Sequence, residues 1–313
     1  MPKCLIIDDM HPALFPFLEE AGLSIDYRSE MESTEIVQIV GEYEGIVVRG
    51  KLRLDKSFFA KATKLKFVAR AGSGKDNIDE IEADRLGIEL LNAPEGNRDA
   101  VAEHAIGMLL NLLNNINIAD QEVRSGIWKR EPNRGNELGF KKVGIIGYGN
   151  TGRAISKRLA SFGCEILAYD TNPEQVPEVG SRLVDMETIF AEADILSLHI
   201  PLNEQNKHLV TKDFFARFAK PIWFLNTARG ELVRTEDLIA ALKTGKVLGA
   251  GLDVLENEKL EKYSEQEKSQ LAELASFPHV IFSPHIAGWT HESYRKISEV
   301  LGQKIKNFYK NLK

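Results

Sequence analysis

Short apolar runs alternate with helical patterns along the sequence, and this alternation is the feature that most constrains the fold. A first series of strand-like runs comprises Leu5–Ile7, Ile25–Tyr27, Gly45–Val48 and Leu65–Ala69. A second series comprises Lys142–Ile146, Glu165–Tyr169, Ile195–His199, Ile222–Leu225, Leu248–Val254 and Val280–Phe282. Strands that alternate with helices build parallel sheets covered by helices on both faces. A chain of 313 residues is longer than a domain with a single hydrophobic core usually is, so we expect two α/β domains.

Two long helices are predicted outside these series. The first runs from Asn97 to about Asn117, with Asp99 as its N-terminal cap, and the second from about His291 to Leu312. The second carries an apolar stripe, which we expect to pack on the first domain rather than on a membrane surface. The polar stretch from Asn257 to Gln270 is predicted to be a solvated loop or a short helix.

Composition excludes several classes of function. A net charge of −6 argues against a general nucleic-acid binder. The sequence contains no run of about 20 apolar residues, the length that a membrane-spanning helix needs, and its N-terminus lacks the pattern of a signal peptide. Two cysteines, both in apolar runs, make no disulfide framework and fit a reducing cytoplasm. We expect a cytoplasmic protein with no metal site.

The most informative motif is a glycine-rich loop that closes the strand Lys142–Ile146 and opens a helix predicted at Arg153–Phe162. The acidic residue Asp170 ends the next strand, which completes the context of a dinucleotide-binding site. The helix N-terminus would bind the pyrophosphate, while Asp170 would bind the adenosine ribose and repel a 2′-phosphate, which favours NAD. The predicted cofactor-binding residues here are Gly147, Tyr148, Gly149, Asn150, Thr151, Gly152 and Asp170.

Three later segments each follow a strand, namely Asn226–Gly230, Gly249–Val254 and Ser283–Gly288. Because the carboxyl ends of parallel strands line the ligand crevice, an arginine, a carboxylate and a histidine can meet beside the nicotinamide. A histidine exchanges a proton near neutral pH, and a carboxylate beside it favours and orients the imidazolium. An arginine grips a substrate carboxylate through two hydrogen bonds. We interpret His104 as a packed or interdomain residue, and His11, His208 and His279 as surface or loop residues.

Together these segments resemble the D-isomer-specific 2-hydroxyacid dehydrogenases over nearly the whole length. The matching landmarks are Arg70–Gly74 with Asp76–Asp79, Ala100–His104, the glycine loop, Pro201-Leu202, Asn226–Gly230, Gly251–Val254 and Pro284-His285. The resemblance implies that Arg229 binds substrate, His285 is the acid and base, and Glu258 supports His285. Lys259 stands where the family usually has proline, so Glu256 and Glu261 are rivals of Glu258. The resemblance also implies cofactor contacts at His199, Pro201, Thr227, Ala228, Asp253 and Gly288.

The first domain is expected to bind a small anionic 2-hydroxy or 2-keto acid. Small residues after a strand form an anion nest at Ser73 and Gly74, and the segments around Arg49 and Arg70 resemble those of phosphoglycerate dehydrogenases. For Lys51, Arg53 and Lys75 a substrate contact and ordinary solvated charge are equally good interpretations. The preferred reaction is conversion of 3-phosphoglycerate to 3-phosphohydroxypyruvate in serine biosynthesis.

Other functions stay open at this point. Reduction of glyoxylate, hydroxypyruvate or another 2-keto acid is the alternative within the family, and a formate dehydrogenase is disfavoured because those carry glutamine at the position of Glu258. An NAD(H)-sensing corepressor of the same fold is the alternative from another class. Since the sequence ends soon after the closing helix, we expect a short form without a regulatory domain.

The resemblance also implies how the domains are arranged. We expect a discontinuous substrate domain at 1–96 plus 285–313 and a Rossmann-like NAD domain at 97–284, with flavodoxin-like and Rossmann-like parallel sheets. The active site would lie in the interdomain cleft, which closes about hinges near 94–98 and 285–290. A homodimer is expected through the cofactor domain. The long helix from Asn97, with Gly126-Ile127-Trp128 and the polar arm Lys129–Gly135 after it, resembles the family's dimer element, and the helix carries more apolar residues than one domain face should cover.

Overall fold

A computed structural model describes residues 1–311, and its internal contacts divide the chain into two compact units. Unit 1 comprises Met1–Arg98 and Trp289–Lys313, and unit 2 comprises Asp99–Gly288. The helix end predicted at Leu312 lies outside the described residues. The model confirms the predicted α/β class with two parallel sheets.

Unit 1 is built on a sheet that has five parallel strands within the described residues. The strands are β1 (Lys3–Ile6), β2 (Ser24–Tyr27), β3 (Gly45–Val48), β4 (Phe67–Arg70) and β5 (Glu89–Asn92). Their spatial order is β2-β1-β3-β4-β5, the flavodoxin-like order. Separate apolar clusters form on its two faces, so β3 is buried throughout.

Unit 2 carries a sheet of seven parallel strands among the described residues. They are β6 (Lys142–Ile146), β7 (Glu165–Tyr169), β8 (Ser181–Leu183), β9 (Ile195–Leu198), β10 (Ile222–Asn226), β11 (Val247–Leu252) and β12 (Val280–Phe282). The order β12-β11-β10-β9-β6-β7-β8 is that of a doubly wound nucleotide-binding sheet. Its direction of winding reverses between β6 and β9, which is where such sheets bind their ligand.

The α-helices flank these sheets. In chain order they are α1 (Phe15–Glu20), α2 (Ser33–Ile39), α3 (Lys56–Phe59), α4 (Glu80–Arg85), α5 (Pro94–Asn114), α6 (Ile116–Arg124), α7 (Asn150–Leu159), α8 (Met186–Glu192), α9 (Lys212–Ala216), α10 (Thr235–Lys243), α11 (Glu265–Ser276) and α12 (His291–Asn311). None of the helices in residues 1–311 is long and apolar enough to cross a membrane.

The bounds predicted for the long central helix are wrong at both ends. Helix α5 begins at Pro94, whose fixed φ suits a first helical turn. Asp99 therefore lies inside the helix rather than at its cap, and it pairs with Arg158 at 3.0 Å. The helix ends at Asn114 because Asn115 adopts a left-handed conformation with φ of 54°, after which α6 begins.

The apolar surplus predicted on that helix is also wrong. Seven of its apolar residues are buried in the core of unit 2: Ala102, Ala105, Ile106, Met108, Leu109, Leu112 and Leu113. The exposed apolar side chains lie further along, at Ile116, Val123, Trp128 and Phe140.

Three other elements differ from expectation. Helix α7 begins at Asn150, so its first turn includes part of the glycine loop. Strands β5 and β8 were not predicted, since neither is an apolar run and both are partly exposed edge strands. The polar stretch from Asn257 to Gln270, for which a solvated loop or a short helix is predicted, contains the start of a helix, α11, where Ser264 and Glu267 form a capping box.

Helix α12 buries its apolar stripe in unit 1. Ile297, Leu301 and Ile305 are buried in the cluster that also contains Val47 and Phe67 of the sheet. The first turn of α5 meets this helix so closely that a Cβ on Gly96 would lie 2.6 Å from the Ile297 Cα.

Candidate active site

The glycine loop between β6 and α7 leaves open space at one position only. A Cβ on Gly147 would lie 2.5 Å from the His199 carbonyl oxygen, and one on Gly152 would lie 2.0 Å from the Gly147 oxygen. By contrast, no heavy atom of the described residues other than its chain neighbours lies within 4 Å of the Cβ position of Gly149. Gly147, with φ of 93°, and Gly152 thus allow the tight turn and close packing, while Gly149 lets a ligand approach the backbone.

The Asp170 carboxylate lies beside this loop at the end of β7. Its Oδ2 accepts a hydrogen bond from the Tyr148 backbone at 2.6 Å, and its Oδ1 accepts one from Asn172 at 2.8 Å. Each carboxylate oxygen has a second lone pair, so the group can still accept bonds from a ribose diol. The residues present therefore fit a dinucleotide. The Tyr148 phenol, however, is buried against Ser156 and Ser181, so it offers a ligand only its backbone.

His199 follows β9, the strand beside β6. Its Nε2 lies 2.8 Å from the Ser197 hydroxyl, and burial lowers its pKa to about 4, so the ring is neutral at pH 7. Its Nδ1 is buried with no partner among the described residues, as is the Thr227 hydroxyl. Pro201 is exposed, and its carbonyl accepts from Asn206 at 2.5 Å. The two buried polar atoms leave hydrogen-bonding capacity that a ligand could use.

Arg229 is presented by a tight loop at the end of β10. The buried Asn226 donates to the Arg229 carbonyl at 2.9 Å and accepts from the Ala228 N–H at 3.1 Å. A Cβ on Gly230 would lie 1.8 Å from the Leu255 oxygen, so only glycine fits there. The Arg229 guanidinium itself donates to the Ala228 carbonyl at 2.6 Å. Side-chain and backbone bonds thus hold the arginine at the strand end.

The loop that carries His285 follows β12 and is held by Asp253 at the end of β11. The Asp253 carboxylate, only 1% exposed, accepts from Ser283 Oγ and from the backbone N–H groups of Ile286 and Ala287. Its backbone oxygen accepts from the His285 N–H at 2.7 Å. His285 has a φ of 56°, which a residue with a side chain rarely adopts. Asp253, predicted to contact the cofactor, thus braces the histidine loop in this structure.

The three rival carboxylates have different neighbours. Glu258 Oε2 lies 3.0 Å from His285 Nδ1. Glu256 instead contacts His208 Nε2 at 2.7 Å and accepts from the Thr235 N–H at 2.9 Å. Glu261 lies in a short 3-10 helix and is exposed. Of the three, Glu258 is the one that the structure brings to His285.

The candidate substrate residues lie in unit 1, at the ends of β3 and β4. Arg49 follows β3, and its guanidinium lies 4.7 Å from the Trp289 ring centroid and 5.1 Å from that of Tyr294. Arg70 ends β4, and its side chain lies over Gly72, where a Cβ would clash with it. Ser73 and Gly74 follow, and the Ser73 hydroxyl donates to Asn97 at 2.8 Å.

The neighbouring lysines have structural partners. Lys51 donates to the Ser29 carbonyl, and Lys75 forms an ion pair with Glu80. These contacts favour the ordinary structural interpretation of the two charges.

Sequence reasoning did not find several residues that shape these loops. Asn226 was identified only as part of the segment Asn226–Gly230, although a polar side chain at the end of a buried strand by itself indicates a residue that shapes the site. The contact of Trp289 with Arg49 joins segments far apart in the chain, and no local pattern indicates it. The contact between His104 and Ser283, 2.8 Å long, is of the same kind.

Comparison with known families confirms the resemblance. Residues 106–287 match the family model described as the D-isomer specific 2-hydroxyacid dehydrogenase, NAD binding domain. This match covers most of unit 2 and confirms NAD as the cofactor.

Two curated relatives span most of the chain. The D-3-phosphoglycerate dehydrogenase of Archaeoglobus fulgidus is 33% identical over 99% of this chain and 58% of its own length. The hydroxypyruvate reductase of Thermotoga maritima is 35% identical over 88% of each chain. The chain thus spans little more than half the length of the phosphoglycerate dehydrogenase it matches.

A solved structure agrees over both units. The D-lactate dehydrogenase of Aquifex aeolicus, crystallised with NAD and lactic acid, is 26% identical, with a TM-score of 0.83 over 99% of this chain and 96% of that one.

Proposed function

The chain belongs to the D-isomer-specific 2-hydroxyacid dehydrogenase family, and from this premise we propose that it is an NAD-dependent oxidoreductase acting on a D-2-hydroxy acid and its 2-keto acid. The observation that carries the proposal is the 3.0 Å contact between His285 Nδ1 and Glu258. It occurs at the same sheet edge as Arg229, since β10, β11 and β12 are parallel neighbours. A proton-exchanging group and an anion-binding group at the carboxyl edge suit this reaction.

The proposed roles follow from the chemistry and placement of each side chain. Nδ1 of His285 faces Glu258, so Nε2 is the nitrogen that takes the proton of a substrate hydroxyl or returns it to a keto oxygen. Glu258 stabilises the imidazolium that forms. Arg229 binds the substrate carboxylate through its planar guanidinium. When bound, NAD supplies the hydride acceptor, and NADH the donor.

For the substrate we propose 3-phosphoglycerate and 3-phosphohydroxypyruvate, the pair of serine biosynthesis. A phosphate gives the substrate a second anionic group besides its carboxylate. This second group accounts for the presence of Arg49 and Arg70 in addition to Arg229. The Archaeoglobus relative, which matches nearly the whole chain, supports this choice.

Hydroxypyruvate or glyoxylate is the second candidate substrate. The Thermotoga hydroxypyruvate reductase, which is 35% identical over 88% of this chain, supports this candidate. The structural partners of Lys51 and Lys75 also leave fewer cations for a phosphate.

The predicted domain boundaries, homodimer and cytoplasmic location are likewise proposals.

A panel of 2-keto acids tests the proposal by steady-state oxidation of NADH. It contains phosphohydroxypyruvate, hydroxypyruvate, glyoxylate and pyruvate. We expect turnover on at least one acid, with the highest kcat/KM for phosphohydroxypyruvate. A higher kcat/KM for hydroxypyruvate would transfer the assignment to the second candidate. Binding of NADH without turnover of any acid would contradict the enzyme assignment and favour an NAD(H)-sensing protein.

A further inference from the structure

A directed chain of hydrogen bonds links His104 to the candidate catalytic loop. His104 on α5 places its Nε2 2.8 Å from Ser283 Oγ, and the Ser283 hydroxyl donates to Asp253 Oδ1 at 2.5 Å. A hydroxyl has one proton, so Ser283 must accept from His104, whose Nε2 then carries hydrogen. The direct distance from His104 to Asp253 is 3.7 Å, so the serine is the bridge.

The far end of this chain holds the backbone around His285. The Asp253 carboxylate accepts the N–H groups of Ile286 and Ala287, at 2.9 Å each. His285 lies immediately before them with its left-handed backbone. Such a conformation persists only when surrounding bonds hold it. Any contact that holds the Asp253 carboxylate in place therefore also determines the direction in which the His285 side chain points from the loop.

We propose that His104 is a positioning residue for His285, acting through Ser283 and Asp253. The proposal rests on the proposed function, since it assigns His104 a part in that reaction. The His104 side chain is partly buried, and its neighbour Ala105 on α5 is buried in the core of unit 2. An apolar side chain in place of His104 could not donate to Ser283. Without that bond the hydroxyl can rotate away from Asp253, and the loop loses one of its three side-chain anchors.

Paired substitutions separate this hydrogen bond from packing. His104→Leu and Ser283→Ala remove it, whereas His104→Gln keeps a donor and Ser283→Thr keeps a hydroxyl. We expect the first pair to lower kcat about tenfold, with the KM for the keto acid and the Kd for NADH changed less than about twofold. The second pair should retain most of kcat. Because both partners act through one bond, His104→Leu with Ser283→Ala should lose no more than either alone.

Amide hydrogen exchange of the segment 283–288 in the full-length protein provides a readout that needs no turnover. We expect faster exchange in His104→Leu and Ser283→Ala than in the natural protein, His104→Gln or the control His279→Leu. His279 precedes the same strand, but its ring packs on Trp223.

Unchanged exchange in His104→Leu, additive losses in the double variant, or an equal loss of kcat in the Leu and Gln variants would each overturn the proposal. If the natural protein turned over none of the keto acids, the proposed function would fail, and the exchange experiment would still decide whether His104 holds the loop.

Discussion

Glu258 and Glu256 stand two residues apart, yet only one of them contacts His285. We expect Glu258→Gln to lower kcat about tenfold and to shift the pH profile of activity, because a neutral amide no longer stabilises the imidazolium. Glu256→Gln is the matched control, since it keeps an acceptor for Thr235 and leaves the profile unchanged. Steady-state rates between pH 5 and pH 9 make the comparison. A shift in the Glu256 variant alone would reverse the assignment.

Asp170 should determine which dinucleotide the protein accepts. Its carboxylate can bind a ribose diol, but it repels a 2′-phosphate. We expect a kcat/KM for NADH at least about a hundredfold above that for NADPH, and a much smaller ratio in Asp170→Ala. Because Asp170 also accepts from Tyr148, the Kd for each dinucleotide should be measured beside kcat/KM. Equal use of both dinucleotides by the natural protein would contradict the prediction.

His199 should make the folded state sensitive to acid. Burial lowers its pKa from 6.5 to about 4, whereas in the unfolded chain the ring titrates at its ordinary value. Its contribution to stability is therefore fully present above pH 6.5 and is lost as pH falls towards 4. Between pH 7 and pH 5 this residue should remove about 2 kcal/mol from the free energy of unfolding.

Urea unfolding at those two pH values measures the loss. His199→Asn should show a smaller decrease in the free energy of unfolding than the natural protein. An equal decrease in both would mean that His199 does not cause it.

The sequence predicted the residues that carry chemistry better than their contacts. Arg229, Asp170 and His285 were identifiable because each follows an apolar strand, and parallel strands bring such positions to one edge. Which carboxylate faces His285 could not be derived from the residues, since it depends on how the loop after Val254 turns. The His104 bond to Ser283 joins residues 179 positions apart, and a histidine in an apolar helix shows no local sign of its partner.

At the level of elements, the interior strands were predicted, whereas two of the four edge strands in the described residues, β5 and β8, were not. Strand β3 is buried throughout and appears in the sequence as a continuous apolar run. Edge strands β5 and β8 are partly exposed, so their sequences lack this signal. The predicted long helix begins at Asn97, three residues after the true start at Pro94, although proline suits a first helical turn.

Two glycines of α5 should respond oppositely to the same substitution. A methyl on Gly96 would meet the Ile297 backbone at 2.6 Å, so Gly96→Ala should lower the free energy of unfolding by about 1–3 kcal/mol. Apart from the adjacent residues and the backbone of its own helix, no heavy atom of the described residues lies within 4 Å of the Cβ position of Gly107. Gly107→Ala should therefore raise the free energy of unfolding by about 0.5–1 kcal/mol. Urea unfolding of both variants checks the signs. A tolerated Gly96→Ala would show that the contact between α5 and α12 is looser than described.

At the scale of the whole molecule, the proposed homodimer rests on the segment that follows α5, which includes Trp128 of the predicted dimer element, rather than on α5 itself. Seven apolar residues of α5 are buried in the core of unit 2. Beyond them, Trp128 is 80% and Phe140 84% exposed, while Ile116 and Val123 lie two turns apart on α6. These four side chains all belong to residues 116–140, and large apolar side chains in water are typical of a surface that a partner covers. A second copy of the chain is the occupant that the family resemblance implies.

Sedimentation at micromolar concentration should therefore give a species of twice the chain mass of 35.1 kDa. Trp128→Asp together with Phe140→Asp should shift it to the monomer, because a charge buried at an apolar interface without a partner is strongly unfavourable. Ile81→Asp is the control, since Ile81 is 85% exposed but lies on α4 of unit 1, and it should leave the dimer intact. A single species near 35.1 kDa for the natural protein would refute the dimer. A dimer that survives the double substitution would place the interface elsewhere.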